Sequence, residues 1–313
     1  MSAIAVVPSP APLTPVSAPR SLADYVEAWL GELDASATTK ASYRAGIKAY
    51  LSFLADTDRQ GAQRADVLAY KAHLKDHYKP GTVSTRLTPV RGLYTYLAAL
   101  GIGPNISAGV KGAKPQSGHR KDALTGPQVG ALLQAASADK RDYALLTLMV
   151  YTGLRTIEVS RAQVGDLRSV GGKTVLDVWG KGRETKDARV IITAPVEAAI
   201  RAYLAQRGPV DETAPLFPST SNRNSGGPMS TRSISRLVKA HLVAAGLSSS
   251  RLTAHSLRHT AVTLSLLGGA SLEEAQAMAR HADITTTQVY AHALDRLTGK
   301  AEQAVTDYLA RAL

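Results

Sequence analysis

Four short stretches in the second half of the chain hold side chains that could act together on an anionic group. In Thr152-Gly153-Leu154-Arg155-Thr156-Ile157-Glu158 the glycine permits a tight turn after one helix, and Arg155 and Glu158 stand three apart at the start of the next. That spacing puts them on one helix face, where the carboxylate can hold the guanidinium. In Ala254-His255-Ser256-Leu257-Arg258-His259, His255 and Arg258 share a face, so an imidazole and a guanidinium can converge on one anion. His259 follows His255 by four, which also fits a two-histidine metal pair. No acidic partner or third ligand of obvious spacing accompanies the pair, so no metal is expected. The third stretch runs Arg280-His281-Ala282-Asp283, then Thr285-Thr286-Thr287 and Tyr290, with Asp283 placed to cap a short helix. The fourth is Lys181 between Gly180 and Gly182, where a hairpin corner can carry a lysine into a groove. Taken singly, each has an ordinary explanation: a helix-start ion pair, a solvated helix face, a core aromatic, a lysine in a turn.

The elements that must position these residues follow from periodicity and punctuation. Residues 1–20 hold five of the fifteen prolines and one charge, Arg20, and read as a disordered tail. Ser21 is the N-cap of a helix whose apolar side Leu22, Tyr25, Val26, Trp29, Leu30 and Leu33 define. Helical patterns follow near 38–55, 64–78 and 82–100, and Pro89 is expected to kink or offset the last. Lys40, Arg44 and Lys48 recur at four-residue steps on one face of the second. No strand pattern precedes residue 110. Gly109–Lys121 is a linker holding Lys111, Lys114, His119, Arg120 and Lys121. It is either a solvated basic connection or a strap across a phosphate backbone. Beyond it, Thr125-Gly126-Pro127 starts a helix and 139–152 is apolar and helical. Thr174–Trp179 and Ala188–Thr193 flank a glycine-containing turn and predict a β-hairpin. Helical patterns then occupy 195–207, 230–245, 255–267, 271–280, 283–291 and 299–312, with a polar, flexible loop at Ser219–Pro228.

Composition limits the partners. The chain of 313 residues carries a formal net charge of +12, and both halves have more Lys and Arg than Asp and Glu. A polyanion held by both halves suits that balance. With no cysteine there is no disulfide, no cysteine-ligated zinc and no thiol nucleophile. The N-terminal apolar run, Ala3–Val7, is too short for a signal core, and nothing approaches the ~20 apolar residues of a membrane span. A cytoplasmic, nucleoid-associated protein is expected.

In their order the residues carry more than they do singly. The series Arg…Lys…His-x-x-Arg…His…Tyr, with TGLRTIE, GKGRETKDARVI, AHSLRHTAVT and RHADITTTQVYAH, resembles the tyrosine recombinase (phage integrase) family from about residue 21 to 313. The resemblance implies a mainly α fold with a small β-sheet in the second domain. An all-helical, SAM-like core-binding domain would occupy 21–110, a basic linker 111–122, and a mixed α/β catalytic domain 123–313. It also implies a chemistry: a tyrosine hydroxyl attacks a DNA phosphodiester and forms a 3′-phosphotyrosyl link. The ester bond energy is conserved, so no cofactor is expected. By that resemblance Tyr290 is the nucleophile, Arg155 and Arg258 clamp the scissile phosphate, and Lys181 protonates the leaving 5′-oxygen. His255 exchanges a proton with Tyr290, His281 donates a hydrogen bond to the transition state, and Glu158 supports Arg155. The chain departs from the family at one point. Arg280 stands where the family commonly has the glycine of Leu-Gly-His, and is expected either to add a phosphate contact or to displace His281.

The partners implied are duplex DNA with paired recombination sites, contacted through Lys40, Arg44, Lys48, Lys111, Lys114, Arg120 and Lys121, and three further protomers. The apolar stripe Ala301, Ala304, Val305, Tyr308, Leu309 and Leu313 suggests that a C-terminal helix, 299–313, either packs on its own domain or docks into a neighbour. A second, different recombinase is a further partner to consider; a membrane is not. The chain resembles Xer-type resolvases and element-mobilising recombinases without an added arm-binding domain. Two other functions share features: a non-catalytic DNA-binding protein descended from an integrase, and a type IB topoisomerase-like enzyme. The intact six residues oppose the first, and the short tail after Tyr290 opposes the second.

Overall fold

The structure, a computed structural model, describes residues 21–61, 63–113, 122–179, 185–281, 284, 287–288 and 306–311. The chain divides into two compact units, Met1–Gly118 and His119–Leu313.

The described part of the first unit is helical: α1 (Leu22–Glu32), α2 (Ala37–Asp56), α3 (Arg64–His77) and α4 (Pro80–Ala99). Ser21 caps α1 as its sequence predicts, in a reciprocal capping box with Asp24. Trp29, Leu30, Ile47, Tyr50, Val67, Tyr70, Leu87 and Leu93 fill the core between the four helices. Two glycines set how closely those helices approach. A Cβ on Gly92 would lie 2.4 Å from the Trp29 ring, and one on Gly46 would lie 2.7 Å from the Pro89 ring. Pro89 does not end its helix: α4 runs through it, with the proline buried against α2.

The second unit opens with α5 (Gly126–Ala136) and α6 (Lys140–Thr152). Thr125 caps α5 from outside the proline, as expected from Thr125-Gly126-Pro127. Helix α6 is the centre of this unit. Every residue from Ala144 to Val150 is buried, because α5, α8 and α10 pack around it. A short helix, α7 (Thr156–Arg161), leads through a 3-10 turn into an antiparallel sheet of order β1-β2-β3.

The sheet has one strand more than the hairpin pattern predicts. Strands β2 (Lys173–Val178) and β3 (Ala188–Ile191) are the expected pair, with Val178 opposite Ala188. The added edge strand, β1 (Leu167–Val170), has only Leu167 partly covered and carries no alternation to reveal it. Gly171 and Gly172, both at positive φ, turn it back onto β2.

Helices α8 (Ala194–Arg207), α9 (Thr231–Ala244), α10 (Ala254–Leu267) and α11 (Leu272–Ala279) complete the unit. The Ser219–Pro228 loop, expected to be flexible, is tied across its base by Ser219 N–H to Gly227 O at 2.7 Å and Gly226 N–H to Ser219 O at 2.9 Å. The tail 1–20, linker residues 114–121, hairpin corner 180–184 and most of 282–305 lie outside the described residues. Of the C-terminal helix, 306–311 are described and helical, with Tyr308 and Leu309 exposed. No described helix is long and apolar enough to cross a membrane.

Candidate active site

The site forms where the C-terminus of α6, the start of α7, one face of α10 and the end of α11 converge. Helix α6 stops at Gly153, whose backbone is left-handed at φ 62°, ψ 23°. The position favours glycine for two reasons. Positive φ disfavours a side chain, and a Cβ there would sit 3.3 Å from Ala261 Cβ. Two residues later Arg155 occupies the N-cap of α7.

Glu158, only 2% exposed, uses both its oxygens. Oε1 accepts from an Arg155 terminal nitrogen at 2.8 Å, and Oε2 accepts from the Arg155 backbone N–H at 2.7 Å. The sequence predicted a guanidinium held by this carboxylate, and the structure shows a capping box that also fixes the residue's backbone. Arg258 comes from α10 and is equally buried. One of its terminal nitrogens donates to Gly153 O at 2.7 Å, and the other donates to Ala279 O.

Helix α11 ends at Arg280, again with a left-handed backbone, φ 54° and ψ 46°. That conformation explains why a glycine suits this position. The Arg280 side chain turns back into the cluster. Its guanidinium donates to Glu158 Oε2 at 2.9 Å and to Met278 O at 2.7 Å, while its carbonyl accepts from Arg155 at 3.3 Å. His281 follows, with Nδ1 2.8 Å from the Thr287 hydroxyl and its backbone bonded both ways to Gln276.

Two guanidiniums, those of Arg155 and Arg280, therefore share one buried carboxylate, and a third, that of Arg258, is buried beside them. Burial, then the positive charges of Arg155 and Arg280, holds the Arg258 guanidinium well below the usual arginine value, at about 9; Glu158 opposes the shift. It is still protonated at neutral pH. Burial also pushes His281 down, to about 4, with Arg258, Arg155, Arg280 and His255 adding to the effect. The imidazole is therefore neutral at pH 7 and stands in a field that favours an anion.

Arg155, Arg258 and His255 line an open cleft of about 320 Å³, with Thr156, Ser235 and Thr253 among its other walls. The His255 ring lies 4.5 Å from that of His259 in an edge arrangement. Among the described residues no group of three or more metal-ligating side chains is gathered. A larger cavity of about 760 Å³, lined by Ile157, Arg161, Trp179, Pro215 and Pro228, contains neither of these arginines nor His255. It is the wrong place for phosphate chemistry despite its size.

Lys181 and Tyr290 lie outside the described residues, as do Lys114, Arg120 and Lys121. The strands leading into the Lys181 corner are in register, and Lys186 beyond it is bonded to Gln163 Oε1 at 2.6 Å. In the first unit Lys48 and Lys111 are exposed. Arg44 is engaged in a two-pronged pair with Glu27 of α1, and Lys40 donates to Gly31 O at 3.1 Å. The contributions of the Gly153, Ala279 and Arg280 carbonyls escaped the sequence reading. Main-chain acceptors carry no residue signature; the glycine after α6 was their one visible trace.

Residues 122–296 match the phage integrase family. The tyrosine recombinase XerC of Pelobacter propionicus is 31% identical over 278 residues, spanning 85% of this chain and 88% of that protein. Among solved structures, the XerH site-specific recombinase bound to palindromic difH substrate in a post-cleavage complex aligns with TM-score 0.72 at 18% identity. That alignment covers 90% of this chain and 84% of the other. The lambda integrase tetramer bound to a Holliday junction aligns with TM-score 0.67 at 21% identity, over 86% and 76% of the two chains. With the arginine–carboxylate–histidine cluster in place and the family's span matched, the chain belongs to the phage integrase family of tyrosine recombinases.

Proposed function

We propose that this site-specific recombinase breaks and rejoins DNA through the six residues that the family pattern marks, with Arg155 and Arg258 as the phosphate clamp. The observation that carries this reading is the anchoring of both guanidiniums. Arg258 is held by two backbone carbonyls and Arg155 by one together with Glu158, while both line the same open cleft. Preorganised cations of this kind stabilise charge that develops on the equatorial oxygens of a phosphoryl group. Tyr290 Oη attacks the phosphorus, the P–O5′ bond breaks, and a 3′-phosphotyrosyl ester forms. The tyrosine proton passes to His255, and Lys181 supplies a proton to the departing 5′-oxygen. His281 stays neutral under its cationic neighbours; in the tautomer whose Nδ1 accepts from the Thr287 hydroxyl 2.8 Å away, it offers Nε2–H to the transition state. Attack by another strand's 5′-hydroxyl reverses the step and completes the exchange.

The first unit acts as a core-binding module, gripping the duplex with Lys48 and Lys111 and with the linker cations beyond. Arg44 would have to release Glu27 to join them. Exposure of Tyr308 and Leu309 supports docking of residues 299–313 into a neighbouring protomer, and the tetrameric lambda integrase assembly supports four copies on paired sites. The Xer names of the relatives support a Xer-type recombinase over an element-mobilising one; dimer resolution at the nucleoid, alone or with a second recombinase, is the role we assign to it.

A suicide substrate carrying the native site tests the chemistry. Wild-type protein gives an SDS-resistant covalent adduct, in EDTA as well as without it, and Tyr290→Phe gives none. Absence of the adduct with wild type, or its persistence in the variant, refutes the mechanism. Deleting residues 299–313 abolishes recombination if they dock in trans; full recombination without them refutes the docking.

A further inference from the structure

The end of α11 concentrates three functions in three consecutive residues. Ala279 O receives Arg258, Arg280 O receives Arg155, and His281 follows at once. The Arg280 side chain then turns back to Glu158 Oε2, the same oxygen that accepts the Arg155 backbone N–H. The bonds close a ring: Arg155 to Glu158, Glu158 to the Arg280 guanidinium, and the Arg280 carbonyl back to Arg155.

Two features show that this arginine is more than a tolerated replacement. Its left-handed backbone is disfavoured for any residue with a Cβ, so glycine would hold the turn with less strain. Its side chain is mostly buried, with Nε–H lacking any hydrogen-bond partner among the described residues, and is held by its two terminal nitrogens alone. Burying an arginine under those conditions is unfavourable unless its directed bonds are used.

We propose that Arg280 is a positioning residue for strand cleavage: by pinning Glu158 it fixes the Arg155 guanidinium toward the cleft and leaves that guanidinium under-neutralised. The inference rests on the reading of Arg155 as a phosphate ligand. Glu158 divides its charge between two guanidiniums, so Arg155 is oriented without being fully paired. The bonds to Glu158 and to the Arg280 carbonyl use one hydrogen on each Arg155 terminal nitrogen, and among the described residues nothing else takes the rest of the fork, which can turn to an anion.

The test uses the full chain and the suicide substrate in single-turnover reactions at saturating DNA, with Arg280→Gly, Arg280→Met and Arg280→Lys made in wild-type and Glu158→Gln backgrounds. Arg280→Gly and Arg280→Met slow adduct formation about tenfold, the scale of one lost charge-assisted hydrogen bond, while the Kd for DNA stays within about twofold. Arg280→Lys restores part of the rate, and Arg280→Gly melts no lower than wild type. In the Glu158→Gln background, Arg280→Gly adds less than about a further twofold, because the link it removes is already broken. An unchanged or faster rate overturns the proposal. So does a parallel loss of rate, DNA affinity and melting temperature, or a full tenfold loss that persists without Glu158.

A second measurement needs no cleavage. Hydrogen exchange at the Arg155 terminal (Nη) hydrogens, followed by NMR, quickens about tenfold in Arg280→Gly when Glu158 is no longer pinned; unchanged exchange overturns the proposal. If wild type forms no adduct, or Tyr290→Phe forms as much, the reading of the site fails, and the exchange result alone decides the role of Arg280.

Discussion

Arg258 and Gly153 are joined by a 2.7 Å hydrogen bond from guanidinium to carbonyl, and that carbonyl points as it does because Gly153 alone ends α6 in a left-handed turn. The helix stop and the active-site anchor are thus one residue. Gly153→Ala is expected to destabilise the protein by about 1–2 kcal/mol, from positive φ and the crowded Ala261 methyl. It should also slow cleavage, since the strain is relieved by turning the carbonyl away from Arg258. Urea denaturation and single-turnover adduct formation measure the two effects, and a stable variant with wild-type rate contradicts the coupling.

Charge alone does not fill the place of Arg258. Arg258→Lys keeps a cation but loses the fork that reaches Gly153 O and Ala279 O together. Adduct formation is expected to fall at least about 100-fold, the scale of a missing preorganised donor. A loss below tenfold would show that the fork is dispensable.

The neutral state of His281 has a signed consequence for stability. The unfolded chain takes up a proton near pH 6.5, whereas the folded imidazole resists until about 4. The contribution of this group is therefore fully present above about pH 6.5, declines as pH falls through that window, and levels off below it. His281→Gln should flatten that part of the stability curve, as followed by urea midpoints. An NMR titration should place the imidazole well below 6.5 in the free protein and higher once a phosphate-bearing DNA site is bound. A free-protein value at or above 6.5 would remove the argument for a neutral donor.

The first unit offers a separate check on packing. Gly92→Ala places a methyl 2.4 Å from the Trp29 ring, which is stacked on Tyr43 and cannot yield without disturbing α2. Overpacking of this kind costs about 1–3 kcal/mol. Denaturation followed by tryptophan fluorescence should show it, and an unaltered midpoint would mean that α1 and α4 separate easily.

The sequence made the helices legible where apolar spacing and caps coincide, as at Ser21 and Thr125. It exposed the Arg155–Glu158 pair because both partners lie within one helical turn. It hid β1, whose four residues leave three side chains exposed and so carry no burial pattern. It also hid the partners of Arg258 and the ring through Arg280. Their sequence separations exceed a hundred residues in three cases, and most of the acceptors are main-chain oxygens. Arg280 was visible as a departure from the family. Which way its side chain turned was decided by tertiary contacts that no spacing records.

Ala279 and Arg280 offer successive carbonyls to Arg258 and Arg155, so the two cations hang from a single hook. A rotation of that one turn, ten residues before Tyr290, loosens one anchor of each arginine at the same time.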